Sequence, residues 1–182
     1  MGERKKVLAI CGSASTSSSN LAILEIIKDL GKNNFELNIF NDLSKLPHFR
    51  TELTTDNVPN EIQTFRTMII DSDAILVCTP EYLFSIPSGV KNALEWCVST
   101  TILSDKPAGL ITASASGEKG HEELKLIFET LQAKYIEETA LLISGVKGKI
   151  RPDCTVLDEK TKIELEKFVR VFSKFIDSFT PN

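Results

Sequence analysis

The sequence is poor in the side chains that usually move protons near neutral pH: its 182 residues include only two histidines, His48 and His121. It has no stretch near the ~18 apolar residues needed to span a bilayer, which argues against a membrane protein. Residues 1–6 lead into a five-residue apolar run, too short for the core of a secretory leader, so a cytoplasmic location is expected. Cys11, Cys78, Cys97 and Cys154 lie far apart, with no C-x-x-C or metal-knuckle spacing. They read as buried free thiols in a reducing compartment, where cysteine acts as a small hydrophobe, and no metal site is expected. Positive charge is also scarce, 21 Lys and Arg against 25 Asp and Glu for a net charge of −4. A surface without a strong positive field is unsuited to nucleic acid, whose binding rests on many phosphate contacts.

What is present is an ordinary globular composition, 42% hydrophobic and 25% charged, at a length that suits one domain over residues 1–182. Val7-Leu8-Ala9-Ile10-Cys11, Ala74-Ile75-Leu76-Val77-Cys78 and Ala108-Gly109-Leu110-Ile111 are near-continuous apolar runs, as in strands covered on both faces of a parallel sheet. Phe35-Glu36-Leu37-Asn38-Ile39-Phe40 alternates instead and belongs at an edge, and a fifth strand is expected at 140–143. Helical spacing fills the gaps: Leu21, Leu24 and Ile27 after the first strand, then 60–71, 89–99, 122–134 and 159–178. The last carries Leu165, Phe168, Val169, Phe172, Phe175, Ile176 and Phe179 on one face, a core-packing stripe. Five strands alternating with helices, the second at an edge, give an α/β doubly wound parallel sheet of order 2-1-3-4-5.

In such a sheet, ligands bind beyond the carboxyl ends of the strands where the order reverses, here between the first and third strands. The loop at 12–20 offers six hydroxyls and opens a helix, whose first N–H groups and dipole suit a phosphate. The same loop also reads as a Ser-rich connector with Ser18 or Ser19 as an ordinary helix cap. It matches neither G-x-x-x-x-G-K-[ST] nor G-x-G-x-x-G, so Walker and dinucleotide-binding turns are excluded. No G-x-S-x-G elbow supports a serine hydrolase. A response-regulator receiver would need an Asp at the end of the third strand, where Thr79-Pro80 stands.

The loop after the third strand carries the most information. Pro80 and Pro87 pin its backbone, while Tyr82, Leu83 and Phe84 place apolar surface outside the sheet, suited to cover by a flat aromatic ligand. The run from Pro80 to Trp96 resembles the NADPH-dependent FMN reductase family, a flavodoxin-like group that includes quinone, azo-dye and chromate reductases. Its pattern, approximately P-E-Y-N-x-S-x-P-G-x-L-K-N-A-x-D-W, is met by Pro80, Glu81, Tyr82, Ser85, Pro87, Lys91, Asn92, Ala93 and Trp96, with Glu95 in place of an aspartate. The family's asparagine is Leu83 here, and its glycine is Ser88, with Gly89 one place later. The first loop resembles G-S-x-R-x-x-S-x-N through Gly12, Ser13, Ser18 and Asn20, with Ser15 at the arginine position.

The resemblance implies a flavodoxin-like fold and an enzyme in which FMN takes hydride from NADPH or NADH and reduces a quinone, azo compound, free flavin or similar small-molecule electron acceptor. It implies that Ser13, Ser15, Ser18, Ser19 and Asn20 hold the FMN phosphate. Pro80, Glu81, Tyr82 and Leu83 would line the ring, with Ser114, Ser116 and Gly117 at its other edge. No catalytic side chain is expected, because the flavin carries the chemistry. The Glu81 carboxylate is expected to face solvent or a partner chain, and Trp96 to pack or to sit at a subunit interface. Lys91 and Asn92 would orient the loop; Gly117 and Gly120 read as turn residues or as flavin neighbours. A homodimer or homotetramer is implied, and an FMN electron carrier without its own NAD(P)H oxidation is the competing function.

Overall fold

The computed structural model describes residues 4–15 and 17–179. Its elements run β1 (Lys5–Cys11), α1 (Ser19–Gly31), β2 (Phe35–Phe40), α2 (Asn60–Ile70), β3 (Ala74–Thr79), α3 (Ser88–Glu95), β4 (Ala108–Ser114), α4 (Glu118–Thr130), β5 (Ala140–Ser144) and α5 (Glu159–Asp177). All strand pairs are parallel, in the order β2-β1-β3-β4-β5. The near-continuous apolar strands β1, β3 and β4 are interior and buried on both faces, while β2 lies at the edge with its alternating Glu36 and Asn38 exposed.

Each face of the sheet has its own core. On one side, Ile23, Leu24 and Ile27 of α1 and Leu165, Phe168 and Phe172 of α5 pack on Val7, Ala9, Leu76 and Ile111. On the other, Ile62 and Phe65 of α2, Val90 of α3 and Leu124 and Phe128 of α4 pack on Leu8, Ile10, Val77 and Leu110. The α5 stripe is therefore core, and Phe35 and Phe168 both meet Phe172, edge-on and stacked respectively. Among the described residues no helix is long and apolar enough to cross a membrane.

Three helix boundaries differ from expectation by four residues, one of them the end of α4 at Thr130, not 134, where Gln132 turns the chain at φ 60°. α3 ends at Glu95, not 99, because the Trp96 carbonyl accepts from the Arg66 guanidinium and the chain tightens into a turn, Cys97 N–H donating to Leu94 O. α4 begins at Glu118, four residues before the apolar periodicity shows it, because its first turn is polar and is fixed by contacts from another loop, described below. Cys11, Cys78 and Cys97 are buried as expected, but Cys154 is exposed in the turn before α5. Burial raises the Cys11 and Cys78 thiols above the usual range, Cys78 the more strongly, so both are neutral packing groups.

The chain leaves β1 through α1 on one face and reaches β3 through α2 on the other. The order therefore reverses between β1 and β3, whose carboxyl ends meet at the Cys11 and Cys78 register pair.

Candidate functional site

The loop after β1 is held close to the sheet. Gly12 N–H donates to Cys78 O at 2.8 Å, and a Cβ at Gly12 would stand 2.6 Å from both Thr79 Cβ and Val90 Cγ2, so only glycine fits. Beyond it, short-range hydroxyl bonds shape the chain: Ser15 N–H to Ser13 Oγ, and Ser17 N–H to Ser15 Oγ. Ser18, not Ser19, caps α1, its Oγ accepting from Leu21 N–H at 3.1 Å. The backbone N–H groups of Ser19 and Asn20 have no partner among the described residues and stand at the positive end of a 13-residue helix.

Asn20 is the floor under this loop. Its side chain is buried, donating from Nδ2 to Ala113 O at 3.1 Å while Oδ1 accepts from the Cys78 thiol, so it ties α1 to the ends of β3 and β4. Ser19 reaches the other way, its Oγ donating to Ile150 O at 2.9 Å.

The loop after β3 is a two-residue hairpin. Tyr82 and Ser85 exchange backbone hydrogen bonds of 2.9 and 3.0 Å, with Leu83 at φ 52° and Phe84 at φ 58° between them. Both central residues occupy the left-handed region, the geometry that Asn-Gly adopts most readily, and an L-residue without such a side chain pays roughly 1–2 kcal/mol for it. The strain persists because two carboxylates over-determine the loop. Glu81 accepts from Gly117 N–H at Oε1 (3.2 Å) and from Gly120 N–H at Oε2 (2.7 Å), while its own carbonyl accepts from Ser114 Oγ. Glu123 of α4 reaches back, accepting at Oε2 from Ser85 Oγ (2.6 Å) and Ile86 N–H (2.9 Å), with Lys91 Nζ 3.4 Å from Oε1. Burial works to raise the Glu123 carboxyl, but these donors outweigh it and hold it below its usual range.

This corrects the expected place of the Glu81 side chain: it faces neither solvent nor a partner but caps the first turn of α4. Gly120 packs against it, a Cβ there lying 3.2 Å from Glu81 Cβ, and Gly117 supplies the turn at φ 96°. Lys91 contacts Glu123, whereas Asn92 holds the segment after β2, accepting from Phe49 N–H and donating to Pro47 O. Trp96 is fully buried with its Nε1–H on the same Pro47 carbonyl, so it packs. His121 is half-buried against Thr112 Oγ1 at 3.0 Å; burial, then Lys125, holds its imidazole below the usual range.

At the carboxyl end of the sheet these loops enclose a cleft of about 900 Å³, within the range of cofactor sites. Ser13, Ser15, Ser18, Ser19 and Asn20 line one end, and Pro80, Tyr82 and Ser114 line the other. Glu81, Leu83, Ser116 and Gly117 lie on the same loops but do not line it: Glu81 and Gly117 bond to each other, Ser116 O accepts from Ser144, and Leu83 is 97% exposed. Sequence reasoning missed the third wall, residues 145–152 after β5, which brings Val146, Lys147, Ile150 and Arg151 to the cleft. The fifth strand's carboxyl end points the same way as the others, and that placement was the available signal. A second cleft of about 780 Å³ opens on the far side of the first loop, lined by Asn41, Asp42, His48 and Gly89 and sharing Ser13, Ser15 and Tyr82.

The donor set fits a flavin mononucleotide: hydroxyls and unpartnered backbone amides of the first loop for a phosphate, and apolar Pro80, Tyr82, Ala115 and Val146 for a flat ring. Known proteins agree. The chain is 28% identical over 179 residues to an NADH:(hydroxy)cinnamate reductase subunit of Vibrio ruber, covering 95% of this chain and 88% of that one. It is 29% identical over 178 residues to an NADPH:quinone oxidoreductase of Arabidopsis thaliana, covering 93% and 91%. The fold is similar to that of FerB, a flavoenzyme NAD(P)H:(acceptor) oxidoreductase from Paracoccus denitrificans, with TM-score 0.72, 24% identity and coverage of 95% and 97%. Residues 5–147 match the sequence model of one family, and the chain belongs to it: the NADPH-dependent FMN reductases.

Proposed function

We propose that this protein is a single-domain NAD(P)H-dependent FMN oxidoreductase that passes electrons to a small flat acceptor such as a quinone, an azo compound or a free flavin. The observation that carries the reading is the 900 Å³ cleft at the strand-order reversal, lined by the hydroxyls and amides of the first loop and by apolar Pro80, Tyr82, Ala115 and Val146. It is supported by the family and by relatives named as reductases of quinones and of hydroxycinnamate. When bound, FMN would supply the hydride chemistry between the nicotinamide and the acceptor.

The chain's residues bind and orient. Ser13 and Ser18 offer hydroxyls, and Ser19 and Asn20 offer backbone amides, to the phosphate, while the Ser15 and Ser19 hydroxyls donate to Ser17 O and Ile150 O and shape the cradle. Pro80 and Tyr82 present one wall to the ring and Ser114 the opposite edge. Glu81, Ser116 and Gly117 act one step away by fixing that edge, and Leu83 acts through the backbone of a turn it holds open. A cytoplasmic homodimer or homotetramer is the assembly we favour, because Leu83 and Phe84 expose a joined apolar tip that a second copy would cover.

The test is anaerobic addition of NADPH or NADH to the FMN-loaded protein, followed in the flavin absorption band, then steady-state NAD(P)H oxidation with a quinone. Bleaching and turnover are expected. A flavin that dithionite reduces but neither nicotinamide does would instead identify an electron carrier.

A further inference from the structure

Residues 12–20 contain no charged side chain, yet a flavin phosphate carries about −1.5 to −2 charges near pH 7. Neutral donors alone hold such a group less strongly than charge-assisted ones, by roughly a factor of two in bond strength. The cleft contains a remedy on its third wall: among the described residues Lys147 and Arg151 are its only charged lining residues, and no carboxylate lines it.

The backbone places Arg151 firmly. Ile150, the residue before it, accepts from Ser19 Oγ at 2.9 Å, so the chain next to Arg151 is bonded to the first residue of α1. Arg151 N–H donates to Thr155 O at 3.0 Å, and Ile150 bridges to Val156, closing the turn that carries the guanidinium. Lys147 sits on a turn held at its base by Gly145 N–H to Ala115 O (3.0 Å) and Ser144 Oγ to Ser116 O (2.8 Å). Neither cation makes an ion pair among the described residues. The Asp153 carboxyl is held low chiefly by Thr155, whose N–H donates to it at 3.0 Å, and Arg151 is only a minor cause.

We infer that Arg151, with Lys147, supplies the counter-charge for the phosphate and thereby sets this protein's preference for FMN over riboflavin. The inference rests on the FMN reading above and adds the source of the charge. A guanidinium can bind two phosphate oxygens at once and the ammonium adds a point charge, so Arg151 carries the larger share.

The experiment is a pair of fluorescence-quenching titrations, FMN and riboflavin, on the flavin-free wild type, Arg151→Gln, Lys147→Gln, the double variant and Arg151→Lys. The FMN Kd is expected to rise about 10-fold in Arg151→Gln and further in the double variant, with riboflavin within about twofold throughout. Arg151→Lys recovers part of the loss. The ratio of the two affinities is insensitive to any unfolded fraction, so a poorly folding variant still reports. Unchanged FMN binding in the double variant, or equal weakening of both flavins, overturns the inference and leaves the FMN reading standing. A wild type that binds neither flavin overturns both.

Discussion

The hairpin at Tyr82 to Ser85 stores strain that can be released. Leu83 and Phe84 sit at φ 52° and 58°, each costing roughly 1–2 kcal/mol relative to a residue that tolerates the left-handed region. Replacing the pair with Asn-Gly, Leu83→Asn with Phe84→Gly, installs the residues this turn prefers. Three effects compete. Strain relief contributes about 2–4 kcal/mol, and the added glycine returns about 0.5–1 kcal/mol through the greater freedom of the unfolded chain. Lost burial is small, because Leu83 is 97% and Phe84 79% exposed; the remaining fifth of a phenylalanine is worth about 0.5 kcal/mol. The balance is a gain of about 0.5–3 kcal/mol, which for a domain of this size raises the melting temperature by about 1–12 °C. Scanning calorimetry of the flavin-free protein at two concentrations tenfold apart is the assay. A melting temperature that stays level or falls at both concentrations would refute the strain argument. A gain only at the lower concentration would show that the tip is covered between copies.

Three further outcomes follow from contacts at the site. Gly12→Ala forces a methyl group to within 2.6 Å of Thr79 Cβ and Val90 Cγ2 and is expected to cost about 1–3 kcal/mol, seen as a lower urea midpoint with unchanged slope. Glu123 is held below its usual range, so its contribution is fully present above about pH 4.5 and is lost as pH falls through the folded value. Wild type should therefore lose more melting temperature than Glu123→Gln between pH 6 and pH 3, and parallel curves would contradict the clamp. Ser15→Arg adds a guanidinium to the phosphate end and is expected to tighten FMN about 10-fold, more so in an Arg151→Gln background; fluorescence titration showing no tightening in either would count against it.

The sheet was legible because its patterns follow from burial alone: β1, β3 and β4, covered on both faces, read as unbroken apolar runs, and β2, covered on one, alternates. The position of the candidate cleft followed from topology, since order reversal needs only the strand sequence and the handedness of crossovers. What stayed hidden depends on contacts between distant segments. Nothing in Glu118-Lys119-Gly120-His121 indicates a helix start, because the group that caps that turn is Glu81, almost 40 residues away. The left-handed backbone at Leu83 and Phe84 was equally unreadable, as leucine and phenylalanine disfavour it and only the carboxylates on either side impose it. Lys147 and Arg151 escaped notice because their loop carries no pattern of its own; its address comes from the Ser19 bond to Ile150.

Glu81 and Glu123 point in opposite directions across the same seam, one from the β3 loop into α4 and the other from α4 into the β3 loop. Two struts that cross in this way brace a joint against shear, because sliding either segment along the other stretches one strut as it slackens its mate. On the opposite flank, Ser19, Ser144 and Gly145 pin the 145–152 loop at separate points by single hydrogen bonds. The cleft is thus cross-braced on one flank and pinned at points on the other, and the cationic residues ride on the pinned one.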